Sequence, residues 1–377
     1  MFKNKTAIVS VINDLVSDQR VFRTCSVLRE LGYDITVVGR RLPHSPELPV
    51  WPWRAHRMKL WITKGPLFYL FFNVRLFFFL LFSKKALLYA NDLDTLLPNY
   101  LIARIKRIPL VYDSHELFCD VPELQNSPLK QSIWRWLEKQ LVPQLRHCIT
   151  VNESIAAVLK ERYNTSFAVV RNIGNAPENT VTIDKSTLGI NTEWPLLILQ
   201  GAGINVGRGA EELILAMHHL KASLLIVGGG DQWQHLEMLL KKEGLGHKIK
   251  MIPRVPRHEL FGYTQLASIG LSIDKPVALN YQLSLPNKLF DYIQAGTPVL
   301  ASNMVEVARI VNEYGVGECI DQVNPDTLAR TIDKMLLPEN QRVYRTACSV
   351  ARKVLTWDQE KQHLKEVLLK AAEAPSF

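Results

Sequence analysis

Cysteine is scarce in this 377-residue chain: Cys25, Cys119, Cys148, Cys319 and Cys348 are the whole complement, and no C-x-x-C pair occurs. The odd number excludes a disulfide scaffold and fits a reduced, cytoplasmic compartment. No close Cys/His pair stands at ligand spacing, so no metal is expected. There is no Walker A loop, no G-x-G-x-x-G match after the first strand and no G-x-S-x-G elbow. A P-loop enzyme, a Rossmann dehydrogenase and an elbow-type serine hydrolase are therefore disfavoured. Internal repeats and low-complexity tails are missing too. Residues 67–82 form a long apolar segment, but Asn73 and Arg75 interrupt it. At sixteen residues it is short of the roughly 20 that a membrane span needs, and a central Arg costs about 2.5–3.5 kcal/mol. The N-terminal MFKNKTAIVSVINDL reads as a first strand, its short apolar run ended by Asn13 and Asp14.

What is present is a globular composition, 47% hydrophobic and 21% charged, with a net charge of +9. The charge is lopsided. Residues 1–176 hold 24 Lys/Arg against 14 Asp/Glu, and residues 177–377 hold 21 against 22. An anionic partner should meet the first half. Nucleic acid is not favoured, because basic and aromatic residues do not interleave on a recognisable module. The apolar segment holds eight of the 33 aromatic residues and is flanked by Arg54, Arg57, Lys59, Lys64, Lys84 and Lys85. It reads as a basic interfacial helix or, alternatively, as a helix buried on the first sheet.

Short β-branched runs alternate with amphipathic stretches. Strands are expected at 6–12, 34–39, 86–90, 110–113, 148–151, 196–200, 223–228, 249–252, 269–273 and 298–301. Helices are expected at 21–31, 95–106, 133–142, 154–161, 210–220, 232–242 and 289–294. This alternation predicts an α/β fold of two Rossmann-like, doubly wound domains with parallel sheets. The series pauses over the polar stretch 171–194, which marks the boundary. The domains are then 1–175, 176–352 and a closing helix, 353–377, that returns to the first. Ligands are expected in a cleft at the carboxyl ends of both sheets.

Five stretches carry candidate chemistry. In LLILQGAGINVGRGAEELIL a strand leads through Gly201, Gly203, Gly207 and Gly209 into a helix, with Arg208 at its mouth. Backbone N–H groups and a guanidinium so placed suit a phosphate; an ordinary tight turn is the alternative. In LSLPNKLFDYIQAGTPVLA, Pro286 suits a first helical turn and Gly296 a helix stop. Lys288 and Asp291 share a face there, either holding a phosphate and a ribose diol or forming a surface ion pair. LVYDSHE ends a strand in Asp113, Ser114, His115 and Glu116, a polar cleft cluster or a helix cap. NDLVSDQRVFR opens the first helix, with Asp18 able to cap it and Arg20 and Arg23 one turn apart, a charged first turn or part of an acceptor pocket. In VGGGD, Gly229 and its neighbours permit close approach to a ligand, or make a turn capped by Asp231.

Together these segments, with YANDLDTLLP and LTWDQEKQHLKEVL, resemble the retaining glycosyltransferases of family 4, the group 1 glycosyl transferases with the GT-B fold, along nearly the whole chain. The resemblance implies two domains facing across a cleft and transfer of a sugar from a nucleoside-diphosphate sugar to a glycan or lipid-linked acceptor. His115 falls on the cleft His near the reacting carbon, Arg208 on a phosphate-binding Lys, and Asp291 on the second Glu of E-x7-E. Lys288 is placed to supply the charge of a phosphate-binding Arg that would fall near the neutral Ala202. The implied donor set adds Gly229, Asp231, Arg254, Ser284 and Leu285; the implied acceptor set is Asp18, Arg20, Asp92, Asp113 and Glu116. The first Glu of E-x7-E falls at Leu283, so that acidic contact is absent. No cofactor and no divalent metal are implied. In such a family the first domain takes the acceptor, so the basic first half and the 67–82 segment lead to the expectation of a lipid-linked acceptor at the inner face of the membrane, in cell-surface polysaccharide assembly, with an anionic lipid surface as partner. The rival readings are a catalytically silent nucleotide-binding or membrane-adaptor protein and a GT-B epimerase.

Overall fold

The structure, a computed structural model, describes residues 5–16, 18–42, 45–63, 65–84, 87–125 and 127–373. Lys64, Lys85 and Ala86, the last expected to open a strand, lie outside them. Two compact units are present: Met1–Asn172 with Asp358–Phe377, and Ile173–Trp357. The sequence reading sets those passages at 175/176 and 352/353.

The first unit contains β1 (Lys5–Asp14), α1 (Gln19–Glu30), β2 (Tyr33–Arg41), β3 (Arg54–Lys59), α2 (Gly65–Phe82), β4 (Leu87–Asn91) and α3 (Leu93–Lys106). It continues with β5 (Leu110–Ser114), α4 (Pro122–Gln125), α5 (Pro128–Leu141), β6 (His147–Thr150), α6 (Glu153–Tyr163) and β7 (Phe167–Val169). Among the described residues the strands form one parallel sheet in the order β3-β2-β1-β4-β5-β6-β7. Asp18 starts α1 by accepting from the Val21 N–H at 3.1 Å, and Asn152 starts α6 in the same way. Phe68, Phe72, Leu76 and Leu80 of α2 are buried with residues of α3 and α5 in one core. Their i, i+4 spacing puts them on one stripe, and each buried side chain contributes about 1.5–3 kcal/mol.

The second unit contains β8 (Leu196–Gly201), α7 (Ala210–Ala216), β9 (Ser223–Gly228), α8 (Trp233–Glu243), β10 (Ile249–Pro253), α9 (Arg257–Leu266) and β11 (Ile269–Ser272). Then come α10 (Leu279–Leu283), α11 (Asn287–Ala295), β12 (Val299–Ser302), α12 (Val305–Tyr314), β13 (Gly317–Ile320), α13 (Pro325–Leu336) and α14 (Pro338–Val354). The last helix, α15 (Trp357–Glu373), belongs from Asp358 onward to the first unit, where Arg171 pairs with the buried Glu360 at 2.7 Å. The second sheet is parallel in the order β10-β9-β8-β11-β12-β13. Successive β8 residues enter opposite cores, Leu197 and Leu199 on one face and Leu196 and Ile198 on the other. A sheet buried on both faces reads as a continuous apolar run.

Both sheets reverse their strand order beside the first strand of the unit, between β1 and β4 and between β8 and β11. Such reversals open crevices at the carboxyl ends of the strands. Three strands escape the sequence reading: β3, β7 and β13. All three are outer strands, half exposed, and so lack the apolar run that marks a central strand.

Candidate active site

The glycines after β8 fall into two groups. Gly207 and Gly209 have φ of +81° and +74°, and a Cβ on Gly209 would stand 2.4 Å from the Ile273 carbonyl oxygen. They turn the chain into α7 through backbone conformations that side chains rarely adopt, and Gly209 has no room for one. Gly201 and Gly203 are less constrained and line a cavity of about 190 Å³ with Ala202, Arg208, Asn287 and Lys288. The VGGGD glycines pack closely on the loop that follows β8. A Cβ on Gly228 would meet the Gly201 oxygen at 1.8 Å, and the Ile204 N–H donates to the Gly229 oxygen at 2.7 Å. Their close backbone approach is to the neighbouring loop. Asp231 caps nothing; its N–H donates to Asn205 Oδ1 at 3.1 Å and its side chain is exposed.

Arg208 and Lys288 converge. Arg208 Nη1 and Lys288 Nζ each lie 3.1 Å from a different oxygen of Asp274, which is nearly buried. Arg208 also stacks on Tyr281, 4.1 Å from the ring centroid. Burial lowers the Lys288 pKa and nearby Arg208 adds to the effect, against the pull of Asp274. Two cations share one carboxylate, so a net positive charge faces the cavity. The first turn of α11 contributes to the same wall, carries no acidic residue and has no side-chain cap. The α7 start is different: Glu211 and Glu212 occupy its first turn and offset its partial positive charge. The helix terminus best suited to an anion is thus that of α11. Pro286 immediately precedes α11, and Gly296 ends it with φ +75°.

The alternative reading of Lys288 and Asp291, a surface ion pair, is not what forms. Lys288 turns to Asp274, while Asp291 lies 3.6 Å from Arg257 and accepts from Gln200 at 3.4 Å. Arg254 donates to the Ala202 oxygen, beside Gly229. Ser284 bonds back to the Tyr281 oxygen at 3.0 Å, and Leu285 is buried in the core. Asp274 and Arg257 were missed from the sequence. Asp274 stands directly after an expected strand, and that position alone marks it.

In the first unit, β5 delivers Asp113 and His115. Asp113 is fully buried and accepts from Arg20 Nε at 2.8 Å, Arg20 Nη2 at 2.7 Å and Tyr89 at 2.6 Å. Arg20 also donates to the Val170 oxygen at 2.8 Å. Burial opposes both charges, yet their mutual attraction wins: the Asp113 carboxyl is held below the usual range and the Arg20 guanidinium raised. Each of the two is buried in the pair with the other. Asp18 is spent as the α1 cap. Asp113 caps no helix, and the Ser114 hydroxyl donates to the Glu116 oxygen at 2.9 Å.

His115 is held from both sides. Its Nδ1 lies 3.1 Å from Asp92 Oδ2, its Nε2 3.4 Å from Asp113 Oδ2, and its backbone N–H donates to Asp92 Oδ1 at 2.8 Å. Burial alone would lower its pKa, but Asp92 and Asp113 outweigh that and raise it well above the ordinary value. One-fifth of the ring remains exposed. Asp92 pays for this grip with φ 58° and ψ 167°, a region nearly reserved for glycine. Next to it Asp94 is buried, and burial with the Asp92 charge pushes its carboxyl well up.

Residues 182–347 match the family described as Glycosyl transferases group 1, and residues 18–176 match the model described as Glycosyltransferase Family 4. An uncharacterized glycosyltransferase of Methanocaldococcus jannaschii is 24% identical over 212 residues, 52% of each chain. The match thus spans about half the length of that relative. A sucrose-phosphate synthase structure from Thermosynechococcus elongatus has a TM-score of 0.78 at 16% identity, covering 97% of this chain and 99% of that one. Anabaena HepE in complex with UDP-glucose has 0.73 at 13% identity, covering the same shares. The two-sheet α/β fold matches that of these GT-B neighbours.

Proposed function

We propose that the chain is a group 1 glycosyltransferase, a reading supported by the two family matches, and that it moves a sugar from a nucleoside-diphosphate sugar to a glycan or lipid-linked acceptor, with retention of anomeric configuration, in cell-surface polysaccharide assembly. The observation that carries this reading is the convergence of Arg208 and Lys288 on Asp274 beside the Gly201–Gly203 cavity. The relative HepE, seen with UDP-glucose and with UDP, supports a donor of that class.

The chemistry follows from charge. As the bond from the sugar to the diphosphate breaks, negative charge gathers on the leaving oxygen. Arg208, Lys288, the loop N–H groups and the α11 N-terminus stabilise it. The sugar becomes oxocarbenium-like, and the acceptor hydroxyl attacks from the face the diphosphate leaves, giving its proton to the departing phosphate. With two cations in reach of the diphosphate, no divalent metal is required. Asp291 holds the donor ribose. His115, fixed by Asp92 and Asp113, is the catalytic contribution of the first unit, with Glu116 and Asp92 toward the acceptor.

Thermal-shift titration with UDP, GDP, ADP and CMP in metal-free buffer tests this. One nucleoside diphosphate should stabilise the wild type and fail to stabilise Arg208→Ala, whose far-UV circular dichroism should match the wild type. No stabilisation by any of them would favour the silent-adaptor reading.

A further inference from the structure

We propose that the outer face of α2, α3 and α5 docks the first unit on an anionic lipid bilayer. The inference does not depend on the nucleotide reading. While α2 buries Phe68, Phe72, Leu76 and Leu80 on the sheet, its other side leaves Leu67, Leu70, Phe71, Val74, Phe78 and Phe82 between 44% and 83% exposed. Those residues recur at i, i+3, i+4, i+7, i+11 and i+15, one continuous stripe. Because the opposite stripe is locked into the core, the helix lies on a surface and does not span it.

The apolar face extends beyond α2. On α5, Leu129, Ile133 and Trp136 are 76%, 57% and 63% exposed. The two helices meet through Tyr69 and Trp134, whose ring centroids are 5.3 Å apart. On α3, which shares the same core, Ile105 is 61% exposed. Soluble monomers rarely leave this many large apolar side chains of neighbouring helices to water. Trp61, just before α2, is 99% exposed, and a Trp beside basic residues suits the headgroup layer.

Charge selects the occupant. From residue 48 to residue 91 the chain holds seven Lys/Arg and no Asp/Glu. Among them Lys59, Arg75 and Lys84 are exposed, as are Arg104 and Arg107 of α3 and its end. A cation-rimmed apolar face is complementary to an anionic headgroup layer over acyl chains. A second copy of the chain would bring the same positive charge against it. Phe77, by contrast, packs partly on the core and makes a poor probe.

The test is flotation of the full chain with vesicles of phosphatidylcholine alone and of phosphatidylcholine mixed with phosphatidylglycerol. The mixed vesicles should bind, less so at high salt, and the neutral ones much more weakly. The Phe71→Asp/Phe78→Asp pair should bind about tenfold more weakly, and Trp136→Asp alone several-fold more weakly. Far-UV circular dichroism and the melting temperature report folding, with Phe71→Ser/Phe78→Ser as the milder pair. Equal binding to neutral vesicles would overturn the anionic choice, and an inert Trp136→Asp would overturn the share of α5. Absence of vesicle binding, with a dimer in sedimentation velocity that the Phe pair abolishes, would overturn the proposal in favour of a second copy.

Discussion

Replacing Asp274 by asparagine leaves Arg208 and Lys288 facing each other without the carboxylate that lies 3.1 Å from both. Removing one partner of a buried pair costs about 3–5 kcal/mol. Arg208 is about a quarter exposed and stacked on Tyr281, so screening reduces this to about 2 kcal/mol. In a unit of this size 1 kcal/mol moves Tm by about 2–4 °C, so Asp274→Asn should melt about 4–8 °C lower. The Lys288 pKa, already lowered by burial and Arg208, falls further. A depressed lysine binds fewer protons folded than unfolded, so stability rises with pH between the two pKa values. The deficit should therefore shrink in alkaline buffer. The variant also presents two uncompensated cations to an anion. Losing one like charge about 4 Å away is worth about 1 kcal/mol, a roughly fivefold tighter Kd for UDP or inorganic pyrophosphate. Differential scanning fluorimetry and isothermal titration calorimetry read both effects. An unchanged Tm together with weaker pyrophosphate binding would refute the reasoning.

Asp92→Gly should relieve about 1–3 kcal/mol of backbone strain while dropping the His115 pKa, read by NMR; an unmoved His115 pKa would show that Asp92 does not raise it. Because the folded His115 pKa is raised, its stabilising contribution is complete below about 6.5 and is lost as pH rises through the folded value. His115→Ala should flatten that part of the Tm–pH curve and cut kcat about 100-fold without changing UDP affinity. Arg20→Met strands the buried Asp113 and should cost about 3–5 kcal/mol in urea unfolding of the first unit. Gly228→Ala, with no space for its Cβ, should cost more than about 3 kcal/mol, and a variant with wild-type Tm would contradict the loop packing.

The candidate site was only half legible. Arg208 and Lys288 stand out as cations beside a glycine loop and a helix start, and both reach the cavity. Their shared partner was not visible, because spacing along α11 suggested Asp291, three residues on. The side chain of Lys288 instead crosses to Asp274 at the end of β11. Arg20 reads equally as part of a charged first turn or of an acceptor pocket. It is buried because Asp113, 93 residues later, arrives beside it on β5. In both cases the deciding contact joins residues remote in sequence.

Local pattern by itself determined the alternation of strands and helices, the parallel sheets, the caps at Asp18 and Gly296 and the apolar character of residues 67–82. These depend on periods of two and 3.6 residues and on backbone preferences of single residue types, which act over a few positions. Tertiary structure decided which of two faces of α2 is buried, which glycines serve a neighbouring loop, and which carboxylate each cation meets. Those outcomes depend on strand order and crossover, which set the distance between segments far apart in the chain, and at 3–4 Å that distance decides the sign and size of every electrostatic effect described above.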